Sequence, residues 1–155
     1  MNYNGVYIAS GAEVTMAAGT VIELQLPAGT LQIEILRAWI SAAIGAAPVD
    51  LVQEIEMYTN DAVATSGTSV TARKIRGSDD ATTSVTILRT ATIGGTPTEF
   101  YPDAFHQQNG WLFVPVPEER PRLVAGTTED NWGIRIPTLR GTPINSFGVI
   151  WGELG

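Results

Sequence analysis

Cysteine is absent from this chain, which excludes disulfides and thiolate metal sites and leaves the redox compartment unreadable. Histidine occurs once, as His106. A Ser-His-Asp triad would have to recruit it together with Ser66, Ser78 or Ser146, and no G-x-S-x-G elbow surrounds any serine. A surface or loop histidine is the expectation, and no enzymatic activity is expected. Lysine also occurs once, as Lys74, beside eight arginines, and the net charge is −7. That sign repels phosphate backbones and argues against nucleic acid as a partner. The most apolar stretch, 38–49, is interrupted by Gly45 and Pro48 and falls well short of the roughly 18 apolar residues of a membrane span. Met1 to Asn4 brings neither a basic segment nor an apolar run, and no N-x-[ST] sequon occurs. A soluble protein without a membrane partner is expected.

What the chain has in quantity is alternation and turn chemistry. Its 155 residues, 44% of them hydrophobic, suit one domain with a substantial core and a radius of gyration of about 15 Å. From Gln53 to Arg89 three extended runs, EIEMYT, SVTARKI and SVTILR, are separated by polar turns, with no helical apolar period. Upstream, residues 2–10 suit an N-terminal arm or edge strand. Thr20 to Leu26 alternates with period two, Pro27 to Thr30 turns the chain, and Leu31 to Ile35 alternates again, which reads as a hairpin. At Leu36 the apolar parity shifts, so a β-bulge or a crossing between sheets is expected there. Ala42 to Pro48 reads as a loop or one helical turn.

Downstream, strands are expected over Val52–Thr59, Ser69–Ile75 and Ser84–Thr92, and Phe100 to Gln108 reads as a helical turn or an irregular segment. Trp111 to Val116 must be extended, but Pro115 and Pro117 cannot donate ladder hydrogen bonds, so an edge is expected. Trp132–Ile136 and Phe147–Trp151 are the last strands. Eight or more short strands with regular turns give an all-β, two-sheet antiparallel sandwich. The eight-strand count favours a jelly roll over an immunoglobulin-like sandwich. The expected organisation is an arm or edge strand over 1–12 and a single sandwich domain over 13–155.

Candidate chemistry is sparse. Glu54 and Glu56 share a strand face about 6.8 Å apart, within reach of a glycosidase pair, although carboxylates at i and i+2 are ordinary on a solvated face. Asp79-Asp80 and Glu129-Asp130-Asn131 could offer oxygen to calcium but do not fit the spaced EF-hand loop, so neither a metal nor another cofactor is expected. Arg73, Lys74 and Arg76 form the basic cluster, which reads as edge protection ahead of a docking site for an acidic partner. Trp39, Trp111, Trp132 and Trp151, with Tyr58 and Tyr101, could make a sugar-stacking platform, but strand tryptophans more often serve a core or an interface. Trp111 with Phe113 is the candidate subunit interface, because aromatic residues are enriched at such surfaces.

The central segment, with its Ser66-Gly67-Thr68 turn, Thr/Val strands and the link from Gly77-Ser78-Asp79-Asp80 to Ser84, resembles small jelly-roll head decoration (cement) proteins of tailed bacteriophages. The ending, from Ile134-Arg135-Ile136 through Phe147 to Leu154, is similar to the closing strands of such proteins. The resemblance implies a structural virion protein, made in the host cytoplasm and placed on the capsid exterior. It would bind the major capsid protein, associate with itself as a homotrimer and strengthen the shell. The alternative is a carbohydrate-binding or host-attachment β-sandwich module.

Overall fold

A computed structural model describes residues 3–15, 18–42, 51–75, 83–127, 129–142 and 144–154, the side chains of 12–14 excepted. The strands run in order β1 (Tyr3–Thr15), β2 (Gly19–Gln25), β3 (Gln32–Ile40), β4 (Val52–Asn60), β5 (Thr68–Ser69), β6 (Arg73–Lys74), β7 (Thr86–Arg89), β8 (Thr98–His106), β9 (Trp111–Phe113), β10 (Arg122–Val124), β11 (Asn131–Ile136) and β12 (Ile144–Leu154). A 3-10 turn covers Pro117–Glu119.

Two antiparallel sheets result. In the first the order is β10-β3-β12-β1-β6, with β9 pairing β3 beside β10; in the second it is β5-β7-β2-β11-β4-β8. All-β architecture with two packed antiparallel sheets is therefore the observed fold. The cause is period-two patterning on long strands. Ile33 and Ile35 of β3, Ile22 and Leu24 of β2, Trp132 and Ile134 of β11 and Trp151 of β12 lie fully buried in one core between the sheets, while alternate positions face outward. Among the described residues the indole N–H groups of Trp132 and Trp151 find no partner.

Several expectations change in place. β2 and β3 do not form a hairpin, because β2 pairs β7 and β11 while β3 pairs β12, β9 and β10. The Pro27–Thr30 turn crosses from one sheet to the other, and its flanks bond to different neighbours: Leu26 N–H to the Asp130 carbonyl, and the Leu31 carbonyl to Ala125 N–H. Alternation states that a strand has one buried face and is silent on whether the next strand lies beside it or across the core. The run expected as one strand over 69–75 is likewise split, β5 joining the second sheet and β6 the first.

Phe100 to Gln108 is not helical, since β8 pairs β4 from Thr98 to His106. β8 is the outermost strand of its sheet, so the missing N–H of Pro102 is tolerated there. The shift at Leu36 is a bulge: Ile150 of β12 faces Arg37 and Trp151 faces Ile35, which leaves Leu36 unpaired. β1 runs through the boundary expected between residues 12 and 13 and pairs β12 from Tyr3 to Thr15. The N-terminal segment is thus a strand of the first sheet, covered on its other side by β6 at Tyr7 and Ile8. The stretch expected as a loop at Ala42 to Pro48 lies, beyond Ala42, outside the described residues.

Candidate functional site

Most residues that the sequence offered for chemistry are engaged in holding the sandwich together. On the outer face of the second sheet Glu56 accepts a 2.7 Å bond from Arg135 Nε, and Arg135 also pairs with Glu99. Glu54 lies 3.5 Å from Arg140. The two glutamates are thus paired with separate arginines on a sheet face. His106 Nδ1 accepts the N–H of Gln108 in the turn after β8. Ser66 Oγ lies 3.2 Å from Thr92 Oγ1, and Ser146 N–H bonds Ser41 Oγ. Ser78, Asp79, Asp80 and Arg76 lie outside the described residues. Asn131 is buried in β11 and donates to the Asn60 carbonyl. Among the described residues no three His, Asp or Glu side chains converge as a metal site requires.

The tryptophans do not assemble into a platform. Trp111, Trp132 and Trp151 are buried, as is Tyr58, and half-buried Trp39 carries the Arg37 guanidinium 5.4 Å above its ring. Trp111 and Phe113 are the residues expected at a subunit interface. Trp111 is only 7% exposed, stacks with Phe113 at 6.1 Å and donates Nε1–H to Asp103 Oδ2 at 2.9 Å. It plugs the edge where β9 of the first sheet meets β8 of the second. Phe113, half-buried, lies edge-on to Tyr101 at 5.3 Å. Trp111 packs inward at that edge, and Phe113 is half-buried beside it.

Their neighbours of opposite parity do the reverse. Leu112, Val114 and Val116 are 57%, 61% and 53% exposed, and period-two alternation sets all three on one side of the extended chain. Leu112 is on β9 and Val114 and Val116 are on the segment that follows it, so the three make a ridge of exposed aliphatics at the β9 edge. Exposed Phe100 and Tyr101 of β8 stand beside this edge, and the exposed turn Pro117–Glu119 follows the ridge. Single exposed aliphatics are ordinary; a contiguous ridge marks a contact surface. Sequence reasoning did not single out these three residues. The usable signal was that WLFVPV is apolar at both parities, so that burying one face leaves the other apolar as well.

A second feature escaped the sequence reading. Tyr58 lies flat on the outer face of the second sheet, over Gly133, where an added Cβ would stand 2.5 Å from its ring. Its hydroxyl donates to Glu23 Oε2 at 2.6 Å and contacts Thr20 Oγ1 at 2.8 Å. Glu23, fully buried, also accepts from Gln25 Nε2 and from the N–H of Ala64. Burial, followed by the Glu23 charge, pushes the Tyr58 hydroxyl well above its ordinary range. The first sheet repeats the device. Tyr3 crosses Gly152 and donates to Glu34 Oε2 at 2.8 Å, while Arg122 reaches Glu34 Oε1 at 2.5 Å and Arg120 bonds the Tyr3 hydroxyl. Burial pushes the Glu34 carboxyl up, but the bonds from Arg122 and Tyr3 and the charges of Arg122 and Arg120 outweigh it and hold its pKa below the ordinary value.

Such satisfied rows stiffen a sheet face, while Leu112, Val114 and Val116 stay exposed at the β9 edge. Compared with known proteins, the chain matches no family model, no curated protein and no solved structure.

Proposed function

We propose that this chain is a structural decoration protein: it binds the outer surface of an assembled bacteriophage shell, contacts the major capsid protein and reinforces the shell. The observation that carries this reading is the Leu112-Val114-Val116 ridge, an exposed aliphatic surface that starts on β9, where Leu112 pairs Trp39. Supporting it, the buried carboxylates Glu23 and Glu34 are committed to tyrosine and arginine bonds on the sheet faces.

The strand order supports the jelly-roll reading within the observed sandwich. First pairs with last (β1 with β12), second with next to last (β2 with β11), β3 with β9 and β10, and β4 with β8. Nested pairs of this kind, wound so that β1-β12-β3-β9 faces β2-β11-β4-β8, are how a jelly roll closes. The short strands β5 to β7 then form an insertion between β4 and β8.

Reinforcement follows from simple physics. Modest contacts made by many copies across capsomer boundaries add through effective concentration, so no single contact need be tight. The acidic balance of the chain favours solubility at high local copy number. The test is to mix purified protein with expanded capsids. Stoichiometric binding and a higher disruption temperature are expected, both reduced by Val114→Ser with Val116→Ser. A protein that never sediments with capsids ends this reading. The carbohydrate-binding alternative would use Phe100 and Tyr101, each 42% exposed. Glycan-array binding abolished by Tyr101→Ala would favour it.

A further inference from the structure

Where β8 of the second sheet meets β9 of the first, one carboxylate lacks what its neighbours have. Glu56 and Glu99 pair with Arg135, and Glu54 pairs with Arg140. Asp103 stands opposite Ile55 in the β4–β8 register, on the other side of the sheet from Glu54 and Glu56, and meets no cation among the described residues. Its two bonds come from neutral donors: the Ala104 N–H reaches Oδ1 at 2.7 Å, and the Trp111 indole N–H reaches Oδ2 at 2.9 Å. Asp103 is nonetheless exposed. Segment 93–119 contains no Lys or Arg, so its own stretch of chain supplies neither to neutralise it.

Aromatic rings gather at the same place. Tyr101 precedes Asp103 by two residues, so alternation puts both on one side of β8, about 6.8 Å apart along the strand. Tyr101 is 42% exposed; it meets Phe113 edge-on at 5.3 Å, and Phe113 stacks on Trp111 at 6.1 Å. The indole bond from Trp111 therefore ties the carboxylate to the rings that hold Tyr101. An aromatic face attracts a cation within about 6 Å of its centre, and each carboxylate oxygen keeps a lone pair beyond the bond it already accepts. Elsewhere the chain seats a guanidinium in this way itself, with Arg37 5.4 Å over Trp39.

We propose that Asp103 and Tyr101, braced by Trp111 and Phe113, form a site for a guanidinium group, filled by an arginine side chain of a partner protein. The planar fork of arginine sets two N–H groups on the two Asp103 oxygens while its face lies on the Tyr101 ring, a match that the compact ammonium of lysine does not make. A neutral sugar would stack on the ring but leave the carboxylate without a counter-charge. Leu112, Val114 and Val116 take no part, because they lie at the opposite parity. The inference is therefore independent of the proposed capsid contact.

Titrating the purified full chain with N-acetyl-arginine amide, an arginine blocked at both ends, tests it through the N–H resonances of the protein. The Trp111 indole and the Ala104 amide should shift together and saturate in the millimolar range, and the response should weaken as salt rises, since exposed charges are screened. Asp103→Asn keeps an acceptor for the Trp111 indole but removes the charge, and should weaken binding about tenfold; Tyr101→Leu should do the same. The matching citrulline compound, alike in shape but uncharged, should leave both resonances in place. That comparison uses the wild-type chain and so does not depend on how a variant folds. Equal shifts with the citrulline compound overturn the proposal, as does undiminished binding by Asp103→Asn. So does silence of both resonances at about 0.1 M compound, far above a millimolar site. Binding of free arginine without the blocked form would make this a small-molecule site and end the protein-partner assignment. A neutral oligosaccharide that shifts the two resonances where the arginine compound does not would replace the proposal with the carbohydrate reading.

Discussion

Tyr58 donates a 2.6 Å hydrogen bond to Glu23 across a strand that belongs to neither of them. Tyr58 lies on β4 and Glu23 on β2, and β11 between them offers Gly133, paired in register with both. Only a residue without a side chain lets the ring lie flat enough for its hydroxyl to reach the carboxylate. Gly133→Ala should therefore cost about 1–3 kcal/mol, the usual range for overpacking, and disturb Tyr58 first. Tyr58→Phe should cost about 1–3 kcal/mol by removing a donor from a buried acceptor. Urea unfolding of both variants checks this; if the glycine variant matches the wild type, the ring does not depend on that gap.

The same pair sets a limit at alkaline pH. In the folded protein the Tyr58 hydroxyl ionises above its ordinary value of 10.0, because burial and then Glu23 disfavour the phenolate. Once unfolded, it loses its proton near that ordinary value. A raised folded-state pKa gives stability that is complete below about pH 10 and is lost as pH rises further. Thermal unfolding midpoints should fall above pH 10, and Tyr58→Phe should flatten that fall. An unchanged alkaline slope in the variant would assign the loss to other groups.

Glu34 works in the opposite direction. Its folded-state pKa lies below the ordinary 4.5, since the bonds from Arg122 and Tyr3 and the charges of Arg122 and Arg120 outweigh burial. A depressed carboxylate pKa gives stability that is complete above the unfolded value and is lost as pH falls through the folded one. Acid should therefore destabilise the chain below about pH 4.5. Glu34→Gln should be less stable at pH 7 yet lose less on acidification. Arg122→Ala should cost about 1–3 kcal/mol at neutral pH, as expected for a charged hydrogen bond to a buried partner. Midpoints measured from pH 3 to 7 separate these outcomes.

What was legible from the sequence follows the range over which each signal acts. Alternation is local, so Thr20–Leu26, Val52–Thr59 and Trp132–Ile136 read correctly as strands. Pairing is not local, so β2 and β3 looked like a hairpin although they lie in different sheets. Pro102 argued for irregularity in Phe100–Gln108 because its sequence neighbours do not reveal that β8 is outermost. Residue type points to Trp111 and Phe113 as an interface and is silent on exposure, which is low at Trp111 and high at Leu112, Val114 and Val116. The Tyr58-Glu23 and Tyr3-Glu34 rows were invisible, since partners 35 and 31 residues apart meet only once three strands are in register. Leu36 is the exception: one extra residue shifts parity locally, and the bulge was readable.

That bulge makes a last prediction possible. Ile35 already faces Trp151 and Arg37 already faces Ile150, adjacent residues on β12. Deleting Leu36 would join Ile35 to Arg37 as a regular ladder and leave every later side chain on its present face. The loss should be about 1–2 kcal/mol, mostly from the partly buried leucine. Deleting Val149 on β12 is different, because each neighbour there is paired without a spare residue. Such a deletion slips the register by one and turns buried positions outward on one side of the cut. Leu36 deletion should keep a cooperative unfolding transition and dispersed amide resonances, whereas Val149 deletion should lose both. If the two deletions behaved alike, the extra residue in β3 would not be what reconciles its two halves.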